Sequence, residues 1–550
     1  MQDAHAITPR GESRGRRAGP RRWALALPLA LAACTLNPVT KAPEISFTSL
    51  EEEKEAGDQR AGQIAEQFPI LGDEDPLSVY VRTMGARLAA SSPRKDIEYR
   101  FLILDTDSAN AFSLPGGRVY VSRGLLALLS NESELAGVLA HQIAHVAARH
   151  ASNRSIGSAA SGLLSGLGGV AGGIFGFASF SSLGSVGGIV PPHAPEQEEQ
   201  ADQIGEDLAF KAGWDPAGIT EFIRTYERSR SDRTVLDTGF LAVHPSGSAR
   251  LEAARQHAGK LGKPAPSPET LDRAAFLAKL RGLVIGQDAR AGIFDAKTPT
   301  LFVQPDLNFR IRFPDGWTTI NAPAFVGGFD AGVQITLEPG GEGTDLKKAA
   351  ADHAASEKKK REDAIAKAKA AGKKSPGEDD FKRTKAGMRM LTKKRATYVI
   401  EGVADGGQAT VLQYFIEVKP NIYLVTCAMA TQLKSQFLNE CRRTAATVAP
   451  MRKKDLESIR QTTLELGAAR AGEQLEDFNE RVKNAWTVEQ TAAANGLSLP
   501  YKLSDGQLLK YALAQPYQPP PKAAGAAPPA PEAPEDTEPP EADDAGASDD

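Results

Sequence analysis

His141-Gln142-Ile143-Ala144-His145 is the segment from which the architecture of the first half of the chain follows. Two imidazoles at i and i+4 lie one turn apart on one helix face, a spacing that lets both reach a single zinc ion. The helix has a readable start, since Asn131 as N-cap with Glu134 three residues on is a capping-box-like pair. Leu135, Val138 and Leu139 supply its apolar stripe. Alone the histidine pair is weak: with 8 histidines in 550 residues, an H-x-x-x-H pattern arises by chance in roughly one such chain in ten, and helix-surface histidines are the bland alternative. Context raises its weight. Glu198-Glu199-Gln200-Ala201-Asp202 opens a later helical pattern with Glu198 and Asp202 one turn apart on a common face. Glu198 can supply an anionic third ligand and Asp202 an acceptor that fixes an imidazole tautomer. Gly205, a turn further on, permits close approach of the two helices.

Outward from this core the pattern continues. Glu51 to Ala65 and Asp75 to Ser91 read as helices, the second with Leu77, Val81, Met84 and Leu88 at helical spacing. Tyr99 to Leu104 and Arg118 to Val121 read as strands separated by the turn Leu114-Pro115-Gly116-Gly117. Ser155 to Pro195 contains no Lys, Arg, Asp or Glu. A transmembrane hairpin is one reading of it. The glycines scattered from Gly157 to Gly188 favour an apolar flap beside a cleft, because each interior glycine costs a helix about 1 kcal/mol relative to alanine. Helical patterns resume over Glu196 to Ala212, Pro216 to Arg228 and Ser248 to Leu261.

Near residue 300 the period changes to strand-like alternation, as in Asn308-Phe309-Arg310-Ile311-Arg312-Phe313, followed by a Pro314-Asp315-Gly316 turn. The expected organisation is a signal peptide with lipobox at 1–34, a first domain at 35–298, an α+β domain at 299–452, a small module at 453–514 and a disordered Pro-rich, acidic tail at 515–550. The α+β domain carries a charged insert at 345–395, which reads as a solvated helix rather than a nucleic-acid patch because aromatics are not interleaved with its lysines.

The pieces Asn110-Ala111-Phe112, Pro115-Gly116-Gly117, Arg123-Gly124-Leu125, Glu134-Leu135-Ala136, His141 to His145, Arg149-His150, Glu198-x-x-Ala201-Asp202 and His244-Pro245-x-x-x-x-Arg250 together resemble one family. It is the family of zinc metallopeptidases that includes HtpX, BepA and the CAAX prenyl protease, especially the exported BepA-like lipoproteins. The resemblance runs from Asn37 to about Pro314, roughly half the chain. It implies a multidomain protein whose first domain is a mainly α-helical, gluzincin-like zincin with a small β-sheet. It implies zinc held by His141, His145 and Glu198, with Asp202 behind them. It further implies a substrate strand pairing with an edge near Gly116 to Val121, including Asn110, Gly116, Gly117 and Val119. His244 corresponds to a plug histidine that caps the metal as an inhibitory ligand, and Arg250 belongs to the same motif. The α+β domain resembles a DcrB or PsbP-like sandwich. Asn495-Gly496-Leu497 and the residues after it resemble a degenerate LysM-like module, which would bring peptidoglycan within reach; an ordinary helical cap is the alternative.

One departure matters more than the agreements. The family has glutamate after the first histidine and this chain has Gln142. That glutamate takes a proton from the attacking water and passes it to the leaving amine. Glutamine matches its shape but has no accessible basic site, and loss of a general base removes about 10² to 10⁴ in rate. Zinc binding should survive, since no ligand changes. Glu134, two turns away, and Glu199, off the face, offer no substitute. Gln142 marks either a natural pseudo-peptidase or a trapping substitution in an active enzyme. His193 is a conceivable extra ligand but reads as a loop residue; His150, His257 and His353 read as surface or packing histidines.

Compartment follows from the N-terminus. Arg14, Arg16, Arg17, Arg21 and Arg22 precede the apolar run Trp23 to Ala33, the charged and apolar regions of an export signal too short to span a bilayer. Leu31-Ala32-Ala33-Cys34 resembles a lipobox, with Cys34 lipidated, and Thr35 favours the outer membrane of a diderm bacterium, facing the periplasm. In that oxidising compartment Cys427 and Cys441 are either bridged or two buried thiols. Charge nearly cancels, 65 Lys plus Arg against 69 Asp plus Glu, which argues against a nucleic-acid partner. The expected clients are unfolded or misassembled envelope proteins, and the rival function is a non-catalytic periplasmic chaperone or assembly scaffold.

Overall fold

The computed structural model describes residues 34–36, 43–45, 49–151, 192–231, 239–265, 270–330, 332–370, 381–393, 395–404 and 407–519. The expected export signal before Cys34, residues 155–191 of the uncharged stretch 155–195 and residues 520–550 of the expected tail lie outside the described residues; the tail's expected start at 515 is corrected, since residues 515 and 516 end a strand. Among the described residues no helix is long and apolar enough to cross a membrane.

The first elements are fixed by their caps. After the short pair β1 (Cys34–Leu36) and β2 (Pro43–Ile45) comes α1 (Leu50–Gln67). It opens on a reciprocal capping box in which Glu52 N donates to Ser49 Oγ and Ser49 N donates to Glu52 Oε2. Helix α2 (Pro76–Ala89) starts on Asp75, with proline at its first position where the missing N–H costs nothing. A small mixed sheet follows, made of β3 (Arg100–Leu104), β4 (Ala111–Ser113) and β5 (Arg118–Ser122) in the order β3-β5-β4. Here the expectation of a free edge near Gly116 to Val121 is corrected. β5 pairs in parallel with β3 on one side and antiparallel with β4 on the other, so Val119 has no open side, and the outer strands are β3 and β4.

After α3 (Arg123–Leu128), helix α4 (Glu132–Ala147) starts on Asn131, whose side chain accepts from Glu134 N at 3.0 Å. Glu134 reaches one residue further back than a capping box requires, accepting from Ser130 N at 2.7 Å. Apart from Ser133, α4 is buried on all sides, as a helix through the middle of a domain must be. Its neighbours approach through glycine. A Cβ on Gly205 of α5 (Pro195–Lys211) would lie 2.9 Å from His141 N. One on Gly218, first residue of α6 (Gly218–Ser231), would lie 1.9 Å from Ser133 O. Helices α7 (Gly239–Val243), α8 (Ser248–Leu261) and α9 (Arg273–Leu280) complete this half, and strand β6 (Val284–Ile285) leaves it.

Beyond it stand the three-stranded sheet β7 (Ile293–Asp295), β8 (Thr298–Gln304) and β9 (Phe309–Arg312), and then an antiparallel seven-stranded sheet. The larger sheet comprises β10 (Thr318–Asn321), β11 (Val326–Asp330), β12 (Val333–Glu342), β13 (Lys382–Thr392), β14 (Arg395–Ala404), β15 (Ala409–Val418) and β16 (Asn421–Ala430), ordered β10-β11-β12-β16-β15-β14-β13. Period-two alternation splits its side chains between two cores. Phe415, Ile422 and Leu424 pack against Leu346, Ala349 and Ala350 of α10 (Leu346–Ala370). Tyr414, Tyr423 and Val425 pack with Cys441 and Ala445 of α11 (Lys434–Thr447). A disulfide from Cys427 to Cys441, with Cα atoms 6.0 Å apart, ties β16 to α11. The charged stretch 345–395 departs from the solvated helix expected of it: its first part is α10, but 382–392 is an edge strand, and the lysines and arginines that made it read as helical line the exposed border of a sheet. Charge on an edge strand deters pairing with other chains.

The last elements, α12 (Lys453–Ser458), β17 (Arg460–Ala468), α13 (Leu475–Val482), α14 (Val488–Ala494) and β18 (Leu508–Pro516), return to the first half. β17 sits between β18 and β6, and Leu464 joins the same buried cluster as Leu135, Val138 and Leu139.

Candidate metal centre

Helix α4 places His141 and His145 on one face, α5 brings Glu198 across the Gly205 contact, and the residue after α7 is His244. All four side chains are buried. His141 Nε2 and His145 Nε2 are 3.0 Å apart, and His141 Nε2 and His244 Nδ1 are 3.2 Å apart. Glu198 Oε1 lies 3.1 Å from His244 Nδ1 and 3.4 Å from His145 Nε2, and its Oε2 lies 3.5 Å from His141 Nε2. Four ligand atoms thus fall within 4.8 Å of one another.

Two of the rings have an outer acceptor that favours one tautomer. Asp202 Oδ1 is 2.9 Å from His141 Nδ1, and a carboxylate there takes the N–H and leaves Nε2 as a lone pair. Ala111 O on edge strand β4 is 3.2 Å from His244 Nε2 and does the same for that ring, leaving Nδ1 bare. Asp202 is gripped by Arg250, whose Nε and Nη2 donate to its two oxygens at 2.7 and 2.9 Å. Arg250 Nη1 also reaches Glu198 Oε2 at 2.7 Å and the Pro245 carbonyl at 2.9 Å. Burial opposes charge on Glu198, but His244, His141 and His145 outweigh it and hold the carboxyl well below its usual range. Burial likewise pushes His145 well below an ordinary imidazole, so the ring is a neutral donor of its lone pair.

Lone pairs converging without hydrogens between them repel unless a cation sits among them. A tetrahedral zinc with bonds of about 2.0–2.1 Å separates its donors by roughly 3.3 Å, and the contacts here run from 3.0 to 3.5 Å. Three nitrogens and a carboxylate oxygen are a zinc donor set, and the site fits that ion.

The matching family model is peptidase family M48, over residues 78–258. Residues 78–258 are an M48 peptidase domain. Zinc is the metal of this family. The chain is 30% identical over 244 residues to the β-barrel assembly-enhancing protease of Yersinia pestis, covering 42% of this chain and 49% of that one. It is 27% identical over 250 residues to the protein of the same name from Escherichia coli K12, covering 43% and 50%. The mitochondrial metalloendopeptidase OMA1 of Schizosaccharomyces pombe is 30% identical over 119 residues, covering 21% of this chain and 35% of its own. The chain therefore spans about half the length of the curated assembly-enhancing relatives it matches. A match to the solved structure of cyanobacterial PsbP from Synechocystis spans 29% of this chain and 91% of that one, at 10% identity and a TM-score of 0.20.

Within the M48 domain the structure brings His141, His145, Glu198, His244, Asp202 and Arg250 together. Gln142 is fully buried beside them, its Nε2 3.1 Å from His244 Nε2 and its Oε1 without a hydrogen-bond partner. Asn110 adjoins edge strand β4; it is buried, and both polar atoms of its side chain are without hydrogen bonds. Gly116 and Gly117 form the positive-φ turn into β5 and pack against Lys54 of α1 and against Ile97, away from the four-residue cluster. Cys34 opens β1, and Cys427 and Cys441 lie in the seven-stranded sheet region. His150, read as a surface or packing histidine, and His193, read as a loop residue or a conceivable extra ligand, both lie against His145. His150 is buried against His145 Nδ1 at 2.9 Å, and the buried His193 ring stacks on His145 with centroids 3.8 Å apart. The Arg149-His150 pair was visible as a family motif, but nothing in its spacing announced that the chain turns back on itself there.

Proposed function

We propose that this chain is a zinc metalloendopeptidase-type envelope lipoprotein that handles misassembled envelope proteins, with hydrolysis impaired by Gln142. The convergence of His141, His145, Glu198 and His244 carries the reading. Zinc, when bound there, polarises a peptide carbonyl and makes water acidic enough to attack it near neutral pH. His141, His145 and Glu198 would hold it, with His244 as the plug ligand. Asp202 and Arg250 keep the ligands oriented, and the edge of β4 offers backbone groups to an extended client strand.

The segment after α6 already uses that edge. Phe240 N donates to Ala109 O at 3.0 Å, and the His244 ring meets Ala111 O. A plug that reaches both the metal-facing side chains and the Ala111 carbonyl of β4 competes with substrate for both. The name of the relatives, joining a protease to β-barrel assembly, supports outer-membrane β-barrel proteins as the client class. Cys34 as a lipid anchor and peptidoglycan as a partner of the β-α-α-β segment 460–516 belong to the same proposal, since strands bracketing two helices is the order of a LysM-like module.

The test is casein cleavage by the chain, by Gln142→Glu, and by both in a His244→Ala background that removes the plug. Recovery of about 10²- to 10⁴-fold on restoring the carboxylate is expected. Silence of the Gln142→Glu, His244→Ala double variant with zinc bound would overturn the enzyme reading.

A further inference from the structure

We propose that His150 and Gln200 are positioning residues for the metal centre, forming a hydrogen-bond relay that presents the His145 Nε2 lone pair to the ion. Gln200 Oε1 lies 2.7 Å from His150 Nε2, and an amide oxygen only accepts, so that nitrogen carries the hydrogen. A neutral His150 then has its lone pair on Nδ1, which lies 2.9 Å from His145 Nδ1. His145 Nδ1 in turn must donate, and its remaining lone pair falls on Nε2, the atom that faces His141 and Glu198. The three metal-facing imidazoles thus have three different outer acceptors: a carboxylate for His141, a backbone carbonyl for His244, and for His145 another imidazole backed by an amide.

The backbone is bent to make this happen. At the end of α4, Arg149 N donates to Val146 O and His150 N to His145 O, the paired bonds of a Schellman turn. That turn needs a left-handed residue, and Arg149 occupies it at φ 56° where glycine is the usual choice. A side chain at such a position is strained, and the Arg149 guanidinium lies 3.5 Å from the buried Glu53 carboxylate of α1. The turn lays His150 back over the last helical turn, against the ring it must orient. Gln200 comes from α5, two residues after Glu198, so the helix that supplies the anionic ligand also supplies the end of the relay.

The proposal rests on the metal reading of the site, and the experiment separates the two. Zinc affinity of the full chain is measured by chelator competition, alongside the melting temperature of the metal-free protein, for His150→Phe, His150→Gln, Gln200→Leu, Gln200→Glu and His141→Phe. Loss of such an outer partner is expected to weaken zinc by about 10- to 100-fold in His150→Phe, and by about 10-fold in Gln200→Leu. His150→Gln restores an acceptor and recovers part of the affinity. Gln200→Glu, an acceptor at both oxygens, binds zinc at least as tightly as the parent. The metal-free melting temperatures of the Gln200 pair stay together. Unchanged affinity in His150→Phe and Gln200→Leu while His141→Phe abolishes binding overturns the relay, as does weaker binding in Gln200→Glu than in Gln200→Leu. Unchanged affinity in His141→Phe removes the metal reading itself.

Discussion

At the scale of single residues, the site is a set of acceptors arranged behind donors. Gln142 has glutamate's length but cannot take a proton, so its exchange for glutamate is the smallest change that adds a base to an otherwise complete ligand set. The opposite experiment is Glu198→Gln, which removes the carboxylate from the four-residue cluster while keeping its shape. It should lower zinc content of the purified protein to near zero at micromolar metal, measured by elemental analysis. It also takes one of two carboxylates from Arg250, which keeps its bidentate hold on Asp202, so the stability cost should be about 1–3 kcal/mol. A variant that retains stoichiometric zinc would show that the carboxylate is not a ligand.

At the scale of elements, two contacts set the outcome. The crossing of α4 and α5 needs Gly205, because an added methyl would press on His141 N and Cα at 2.9 and 3.1 Å. Gly205→Ala is expected to cost about 1–3 kcal/mol and, by moving Glu198 relative to the histidines, to weaken zinc together with the melting temperature. Zinc affinity equal to the parent's would mean that α5 rotates without shifting its ligand. On the seven-stranded sheet, Glu338 of β12 faces Glu357 and Lys360 of α10, and burial first, then Glu357, raises its pKa to about 7. A carboxyl raised in the folded state keeps its proton longer than in the unfolded chain, so the native fold loses stability as pH rises from about 4.5 through 7. Glu338→Gln removes that dependence. Its melting temperature should exceed the parent's at pH 8 and converge with it at pH 4.5, and a constant difference across that range would contradict the assignment.

At the scale of the whole molecule, the last segment is built into the first. Lys510 of β18 is fully buried, and its Nζ donates to Ala127 O at 2.8 Å and Leu129 O at 2.5 Å, just ahead of the helix that carries both histidines. Burial pulls the Lys510 ammonium downward and pushes the nearby Glu134 carboxyl upward. Arg273 Nη1 donates to Leu508 O at 2.6 Å, and Arg123 donates to the carbonyls of Val284 and Gly286 beside β17. Lys510→Ala, which leaves two buried carbonyls unpaired, should lower stability by about 1–3 kcal/mol as read by denaturant unfolding. Ending the chain at residue 458 should give a protein that no longer folds cooperatively, because Leu464 leaves the cluster around α4. A soluble, zinc-binding truncation would show instead that the first half stands alone.

The sequence by itself determined the parts governed by local rules. Helix spacing put His141 beside His145, the asparagine cap set the start of α4, and Ser248 to Leu261 reads as helix over the same residues that form α8. Glu198 and Asp202 were legible because a carboxylate pair one turn apart has a common face wherever the helix lies. What only the tertiary structure decided was everything that depends on which surfaces meet. No period in the chain states that β5 is central between β3 and β4, that 382–392 leaves its helical neighbourhood to border a sheet, or that Lys510 crosses to the carbonyls of Ala127 and Leu129. His150 shows the difference most directly: its role depends on a left-handed turn at Arg149 and on an amide from another helix. Contacts between residues far apart in sequence are chosen by the packing of the whole fold, and local spacing carries no record of them.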